Sequence, residues 1–248
     1  MTTPRPLSEL APEVQSLLHT YVKRVGGTLG SAVHSIILYG SAARGEYRDG
    51  HSNINVLLAL AHVDGDVLRK LTPILSKWKK DHVASLVLTS DELQHWTAQF
   101  PLEFGDLVEQ HVLLAGRDPF IACRPDPKAT VEASIREVRA NLIRLRQRFI
   151  EGGATNESAV ILVPLSVTSL GACLRGLLRA WDISVAQRTD AVVRAICERL
   201  ALDPGPFLEG WALRCGQITP GPLEVPRLFD RYMAGLQGLC DRLAVTAK

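Results

Sequence analysis

The sequence lacks the features of several protein classes. Its five cysteines are odd in number, lie far apart and contain no C-x-x-C pair. A disulfide framework or a structural zinc site is therefore not expected, and this cysteine usage favours a reducing, cytoplasmic compartment. The first ten residues contain no apolar core of a signal peptide. A net charge of +2 with 46% hydrophobic residues excludes a disordered or low-complexity chain.

Long hydrophobic runs are also scarce. The one candidate extends from Ser158 to Leu174 without a charge. It is shorter than the ~20 residues that a membrane-spanning helix needs, and it contains Pro164 and Gly171. This composition predicts the buried central helix of a bundle, and a membrane is not expected as a partner.

Motifs of common enzyme and nucleic-acid-binding classes are missing. The sequence contains no G-x-x-x-x-G-K-[ST], no G-x-S-x-G, no G-x-G-x-x-G and no H-E-x-x-H. Aromatic residues make up only 6% of the chain, so base-stacking platforms are not evident. The arginines of Ile135–Phe149 lie opposite its apolar stripe, where a solvated face is the simpler interpretation. Nucleic acid is therefore not expected as a partner.

The pattern of the chain changes near residue 120. Before it, apolar runs typical of buried strands alternate with helical patterns; after a proline-rich linker, Pro119–Lys128, the spacing is helical throughout. We predict an α+β protein in which residues 1–120 form a sheet domain and residues 129–248 form an all-α helical bundle. The predicted strands are His34–Tyr39, Asn53–Leu60 and His82–Thr89. The predicted helices are Leu7–Val25, ended by Gly26 and Gly27, Asp64–Trp78, a short helix capped by Thr89 and Glu92, and segments near 135–149, 158–181, 188–201 and 226–245.

The most informative stretch is Leu38–Leu60, LYGSAARGEYRDGHSNINVLLAL. A buried strand here leads into Gly40 and Ser41, followed by a short helical pattern with Arg44. Glycine lets a phosphate approach the backbone closely, and a serine hydroxyl and N–H offer donors to an anion. Arg44 adds a planar positive charge. These three residues are the candidate nucleotide-binding residues.

The same stretch resembles the signature of the nucleotidyltransferase superfamily, which includes DNA polymerase β-like and kanamycin nucleotidyltransferase-like enzymes. The likeness rests on GSAARGE followed after a loop by S-x-I-x-V-L-L. Pro101–Phe120 and Ile135–Phe149 are similar to segments of an uncharacterised bacterial group of this superfamily. The resemblance implies a small mixed sheet with helices on one side, followed by a helical domain.

The chain departs from the superfamily at the catalytic positions. Active members carry two aspartates two residues apart on one strand and a third carboxylate on a neighbouring strand, which together hold two divalent metals. The resemblance places these positions at Asn53, Asn55 and, on the next strand, Ala84. An amide offers one neutral oxygen, so this chain is identified as a degenerate member. Glu46 and Asp49 are the nearby acids available for an improvised site, although solvated loop charges are the simpler interpretation.

These observations predict a nucleotidyltransferase-fold protein without catalysis that acts as a nucleotide- or partner-binding module and uses no cofactor. The alternative is an active nucleotidyltransferase that transfers a nucleoside monophosphate from an NTP, with Mg²⁺, to a small molecule or protein at an atypical metal site. The expected partners are a nucleotide, a protein or a second copy of the chain. We also expect Gly40 and Ser41 to lie between a buried strand and a helix, with Asn53 and Asn55 beside them.

Overall fold

The computed structural model describes Leu10 and residues 12–47, 53–121, 123–184 and 188–246. The chain divides into two compact units, Met1–Pro125 and Asp126–Lys248. The first contains a four-stranded sheet with helices, and the described residues of the second form helices and their connections. The α+β fold class that the sequence predicts is therefore confirmed.

The sheet of the first unit is mixed, with the strand order β3-β2-β1-β4. Strands β2 and β3 run parallel, whereas β1 is antiparallel to both β2 and β4. The elements follow the chain in this order: α1 (Pro12–Leu29), β1 (Val33–Tyr39), α2 (Ser41–Arg44), β2 (Ile54–Leu60), α3 (Gly65–Trp78), β3 (Val83–Thr89), α4 (Ser90–Gln99), α5 (Pro101–Glu109) and β4 (His111–Gly116).

Helices cover both faces of this sheet. On one face α1 and α3 pack their apolar residues, among them Leu18 and Leu71, against β1 and β2. On the other face α4 and α5 contribute Leu93, Phe104 and Leu107. The expectation of helices on one side is therefore wrong. The reason is that β1 and β2 are apolar on both faces, and a strand of this composition must be covered twice.

Helix α1 (Pro12–Leu29) ends later than predicted, while its predicted start at Leu7 lies outside the described residues. Gly26 and Gly27 were expected to end it, but it continues to Leu29, and Gly30 follows with a φ of +53°. A glycine inside a helix costs about 0.5–1 kcal/mol relative to alanine. The burial of Leu18, Tyr21 and Val25 along the same helix outweighs that cost. Tertiary packing thus overrides the local signal.

The predicted starts of α3 and α4 agree with the structure. The Asp64 carboxylate accepts a hydrogen bond from the Val67 N–H at 2.8 Å and so caps α3. At the start of α4, Thr89 Oγ1 accepts from the Glu92 N–H at 3.1 Å, and the Glu92 carboxylate accepts from the Thr89 N–H at 2.7 Å. The capping box is therefore confirmed.

The described residues of the second unit contain five helices: α6 (Pro127–Glu151), α7 (Asn156–Ala180), α8 (Thr189–Leu200), α9 (Gly205–Arg214) and α10 (Val225–Thr246). The predicted segments near 135–149, 158–181, 188–201 and 226–245 are all helical, whereas α9 was not predicted, because its sequence starts with Gly-Pro between two proline-containing turns. Helix α6 begins inside the expected linker, where Pro127 occupies a first-turn position that needs no N–H and Asp126 caps the helix.

A buried polar network joins three helices of the second unit. Asn141 of α6 donates a hydrogen bond to the Ser166 carbonyl of α7 at 3.0 Å and accepts one from the Ser166 hydroxyl. That hydroxyl in turn accepts from the Tyr232 hydroxyl of α10 at 2.9 Å. Because an unpaired buried polar group is costly, the network favours one register of α6, α7 and α10.

Helix α7 is the one helix among the described residues that is long and apolar enough to cross a membrane by length and composition. Within its most apolar 18-residue window, 61% of the residues are buried inside the protein. Burial of this extent is typical of the core helix of a soluble domain. Leu170, Leu174 and Leu177 are at most 3% exposed, as the central-helix prediction requires.

We expect Leu174→Ala to lower the free energy of unfolding by about 2–5 kcal/mol, because the substitution leaves a cavity in the core. Leu165 lies on the same helix but is 53% exposed. The matched variant Leu165→Ala should therefore change stability by no more than about 0.5 kcal/mol. Urea denaturation followed by circular dichroism measures both. Equal stability of the two variants would contradict the assignment of α7 as the core helix.

Candidate functional site

The candidate site begins with the turn between β1 and α2. Gly40 has φ +78° and ψ −150°, a backbone conformation that is essentially restricted to glycine. The single helical turn that follows is closed by hydrogen bonds from the Arg44 N–H to the Gly40 carbonyl (3.1 Å) and from the Glu46 N–H to the Ser41 carbonyl (2.8 Å). Gly45, with φ +77°, ends it. The two glycines of GSAARGE are thus explained by backbone geometry, and Gly40 and Ser41 join a buried strand to a helix as expected.

Four side chains form a row across the sheet beside this turn. Asn55 of β2 is paired with Tyr39 of β1 on one side and with Ala84 of β3 on the other, and Tyr39 is also paired with His111 of β4. Paired residues on neighbouring strands place their side chains on the same face. The row Ala84–Asn55–Tyr39–His111 therefore lies on the face that α4 and α5 cover. Asn53, just before β2, is exposed.

The backbone of the glycine turn lies against the Asn55 side chain. A Cβ atom built on Gly40 would be 2.6 Å from the Asn55 amide nitrogen and 3.6 Å from its Cγ. Any side chain at position 40 would therefore displace the amide. This contact brings Gly40 and Asn55 together, although they are distant in the sequence.

Arg44 is held by two carboxylates. Its Nε lies 3.2 Å from Glu46 Oε2, and its Nη1 lies 3.8 Å from Asp106 Oδ2 on α5. All three side chains are only 12–13% exposed. In such partial burial a charge interacts more strongly with its neighbours than it does in water. The guanidinium predicted to face a phosphate is thus already engaged with two acids.

Tyr39 and His111 complete the row. Burial raises the pKa of the Tyr39 phenol above its usual value, so this group is uncharged at neutral pH. His111 is 5% exposed; its Nδ1 lies 2.7 Å from the Leu107 carbonyl oxygen, and its Nε2 lies 3.3 Å from Asp118 Oδ2. The His111 ring also packs edge-on against Phe120. These contacts fix the start of β4 to the segment that follows it.

The residues at the superfamily's metal positions do not fit a pair of divalent metals. Asn53 and Asn55 carry neutral amides, and Ala84, beside Asn55, carries a methyl group. Magnesium in protein sites is bound by anionic oxygens, and two such ions bring four positive charges. Within the described ranges no three His, Cys, Asp or Glu side chains are grouped so that they could hold a metal ion. Glu46 is paired with Arg44, while Asp49 lies outside the described residues.

Two residues of this region were not singled out from the sequence. Asp106 lies in α5, and no local pattern distinguishes its carboxylate from a solvated helix charge, because its partner Arg44 is remote in the chain. His111 belongs to no recognisable motif of the sequence. In the structure, the burial of Phe104 and Leu107 fixes the orientation of α5, and Asp106 on the same helix lies beside Arg44.

No protein-family model and no curated protein sequence matches the chain. A solved structure does match: that of spectinomycin adenyltransferase from Enterococcus faecialis, determined with ATP and spectinomycin. The likeness has a TM-score of 0.60 and covers 92% of this chain and 99% of that one, at 9% sequence identity. At this identity the comparison shows the fold alone. The fold is nucleotidyltransferase-like, as the resemblance of the Leu38–Leu60 segment implies.

We expect Gly40→Ala to destabilise the protein by about 1–3 kcal/mol, because alanine is strained at this φ and ψ and its Cβ would meet the Asn55 amide. Gly26 provides the matched control, since a Cβ there meets no atom within 4 Å and the residue lies inside α1. Gly26→Ala should be neutral or stabilise by up to about 1 kcal/mol. Thermal denaturation compares the two. A Gly40→Ala variant as stable as the wild type would contradict the described turn.

Proposed function

We propose that this chain is a nucleotidyltransferase-fold protein that has lost two-metal catalysis and acts as a nucleotide- or partner-binding module. The observation that carries the proposal is the position of Asn55. It lies against the glycine turn, between Tyr39 and Ala84, so that the row beside Gly40 contains an amide, a phenol, an imidazole and a methyl group but no carboxylate.

Two-metal catalysis depends on negative charge at the metal-binding positions. Transfer of a nucleoside monophosphate through two metals needs anionic oxygens that hold both ions close together. An amide oxygen is neutral, so replacing aspartate by asparagine at positions 53 and 55 removes two negative charges. Glu46 does not replace them readily, because a metal there would compete with the Arg44 guanidinium at 3.2 Å. We therefore assign no metal-dependent step to the described residues.

Ligand binding without catalysis would depend on the groups that remain in the glycine turn. Gly40 keeps its glycine-only backbone, and Ser41 begins the short helical turn of α2 with a half-buried side chain. We assign Gly40 and Ser41 as ligand-contacting residues, together with the amides of Asn53 and Asn55, which can both donate and accept hydrogen bonds. A ligand held by such groups is bound through hydrogen bonds rather than through metal-bridged phosphates.

A second candidate function is an active adenylyl transfer with an atypical metal site. It is favoured by the retained glycine turn and by the likeness, over 92% of the chain, to an adenyltransferase determined with ATP and spectinomycin. Under this alternative the chain would transfer a nucleoside monophosphate from an NTP to a small molecule or protein. The second candidate function requires a metal ion and the first does not. Metal dependence of transfer is therefore the decisive readout.

The two candidates differ in labelled-nucleotide transfer. The purified chain is incubated with ATP labelled at the α-phosphate, with Mg²⁺ or Mn²⁺ and with spectinomycin as one acceptor. We expect no metal-dependent transfer by the wild type. The triple variant Asn53→Asp, Asn55→Asp, Ala84→Asp restores a carboxylate at each superfamily position and is expected to bind metal.

Asn55→Asp alone is the matched control for the triple variant, because it adds one charge at the same place without completing the metal site. Its transfer activity should equal that of the wild type. Robust Mg²⁺-dependent labelling by the unmodified chain, abolished by Ser41→Ala, would contradict the proposed loss of catalysis and favour the second candidate.

A further inference from the structure

Strand β3 carries no neighbouring strand on its outer side among the residues that the structure describes. It lies at one end of the sheet and pairs with β2 alone. The Ile54 N–H donates to the His82 carbonyl at 2.9 Å at the start of the parallel ladder between the two strands. Because backbone groups alternate along a strand, those of Val83, Ser85 and Val87 point away from β2. Their N–H and C=O groups are therefore placed to pair with another strand.

This edge lacks the features that keep sheet edges apart. Proteins commonly protect an edge with prolines, charged side chains, bulges or very short strands. Strand β3 has seven residues, VASLVLT, without a charge or a proline, and its register with β2 is regular throughout. At the other end of the sheet, β4 has an irregular register beside Ile36 and Ile37 and ends at Gly116, whose φ is +83°. Of the two edges, β3 is therefore the one suited to an added strand.

The two ends of β3 carry charges of opposite sign. Lys79 and Lys80 precede the strand and Asp91 follows it, and all three residues are exposed. Asp81 lowers the positive charge of the first end without cancelling it, while Glu92, beside Asp91, is engaged in the capping box of α4. A second β3 that ran parallel to the first would face it with like charges at both ends. An antiparallel β3 places opposite charges together instead.

We propose that the outer edge of β3 is the interface with a second copy of this chain, in which the two β3 strands pair antiparallel about a two-fold axis. A register centred on Ser85 places Val83 opposite Val87, so that the outward backbone groups of one copy meet those of the other. The same register brings Lys79 of one copy near Asp91 of the other, and the symmetry repeats this contact. The two sheets thus form one continuous sheet across both copies.

Sedimentation velocity of the full chain at increasing concentration tests this interface. The wild type should sediment as a dimer at high concentration. Lys79→Glu combined with Lys80→Glu places like charges at both ends of the paired strands and should raise the dimer dissociation constant at least about tenfold. Adding Asp91→Lys to that variant restores opposite charges and should recover most of the loss. The matched control, Lys23→Glu combined with Arg24→Glu, reverses two exposed cations of α1 and should leave the constant unchanged.

Amide hydrogen exchange followed by NMR locates the contact on the backbone. The wild-type dimer is compared with the Lys79→Glu, Lys80→Glu variant at the same concentration. In the wild type the amides of Val83, Ser85 and Val87 should exchange at least about tenfold more slowly than in the variant, because the second strand accepts their hydrogen bonds. The alternate amides of β3, which donate to β2, should exchange equally slowly in both proteins.

Three results would overturn the proposal. The first is a wild type that stays monomeric at every concentration. The second is a dimer that the two lysine substitutions leave intact and in which the Ser85 amide exchanges quickly, because its interface would then lie elsewhere. The third is a slow Ser85 amide in a monomer, since another part of the same chain would then cover the edge. These results are independent of the proposed function, which labelled-nucleotide transfer by the wild type contradicts whether or not the chain is a dimer.

Discussion

The contact between the Gly40 backbone and the Asn55 amide is the constraint on which the candidate site depends. It requires a residue without a Cβ at the end of β1, and it requires that β1 and β2 pair so that Tyr39 lies opposite Asn55. That register is held by apolar side chains on both faces of the two strands, packed by α1 and α3 on one side and by α4 and α5 on the other. A one-residue shift in the register of β2 relative to β1 would move the apolar side chains of the shifted strand to the opposite face of the sheet.

The same geometry permits two different chemistries, and the side chains decide between them. With carboxylates at positions 53, 55 and 84, the end of the sheet would be strongly negative and would attract divalent cations. With two amides and a methyl group these positions are neutral, and the nearby guanidinium of Arg44 is engaged with the carboxylates of Glu46 and Asp106. The fold is therefore compatible with catalysis, whereas our proposal rests on the local charge. This separation of fold from function is general among widely used folds.

Much of the first unit could be predicted from local patterns. The strands β1, β2 and β3 are continuous apolar runs, the capping box at Thr89 and Glu92 is a sequence signature, and the glycine turn follows from GSAARGE. Strand β4 and the Arg44–Asp106 pair were not predicted, because both depend on contacts between distant parts of the chain. The predicted end of α1 was wrong for a related reason, since core burial outweighs the local cost of Gly26 and Gly27.

The pairing of Asn55 with Ala84 agrees with the position that the resemblance implies for the third carboxylate, while the roles of Asn53 and Asn55 stay a prediction.

Direct binding of Mn²⁺ tests the central claim, that the site cannot hold the catalytic metals. Electron paramagnetic resonance measures free Mn²⁺ during titration of the protein in the presence of ATP, with ATP alone as the reference. The account predicts that the wild type binds no Mn²⁺ beyond what ATP itself binds, and that the variant with aspartate at positions 53, 55 and 84 does bind it. Saturable, stoichiometric binding of Mn²⁺ by the wild type, lost on Asn53→Ala and Asn55→Ala substitution, would contradict the account.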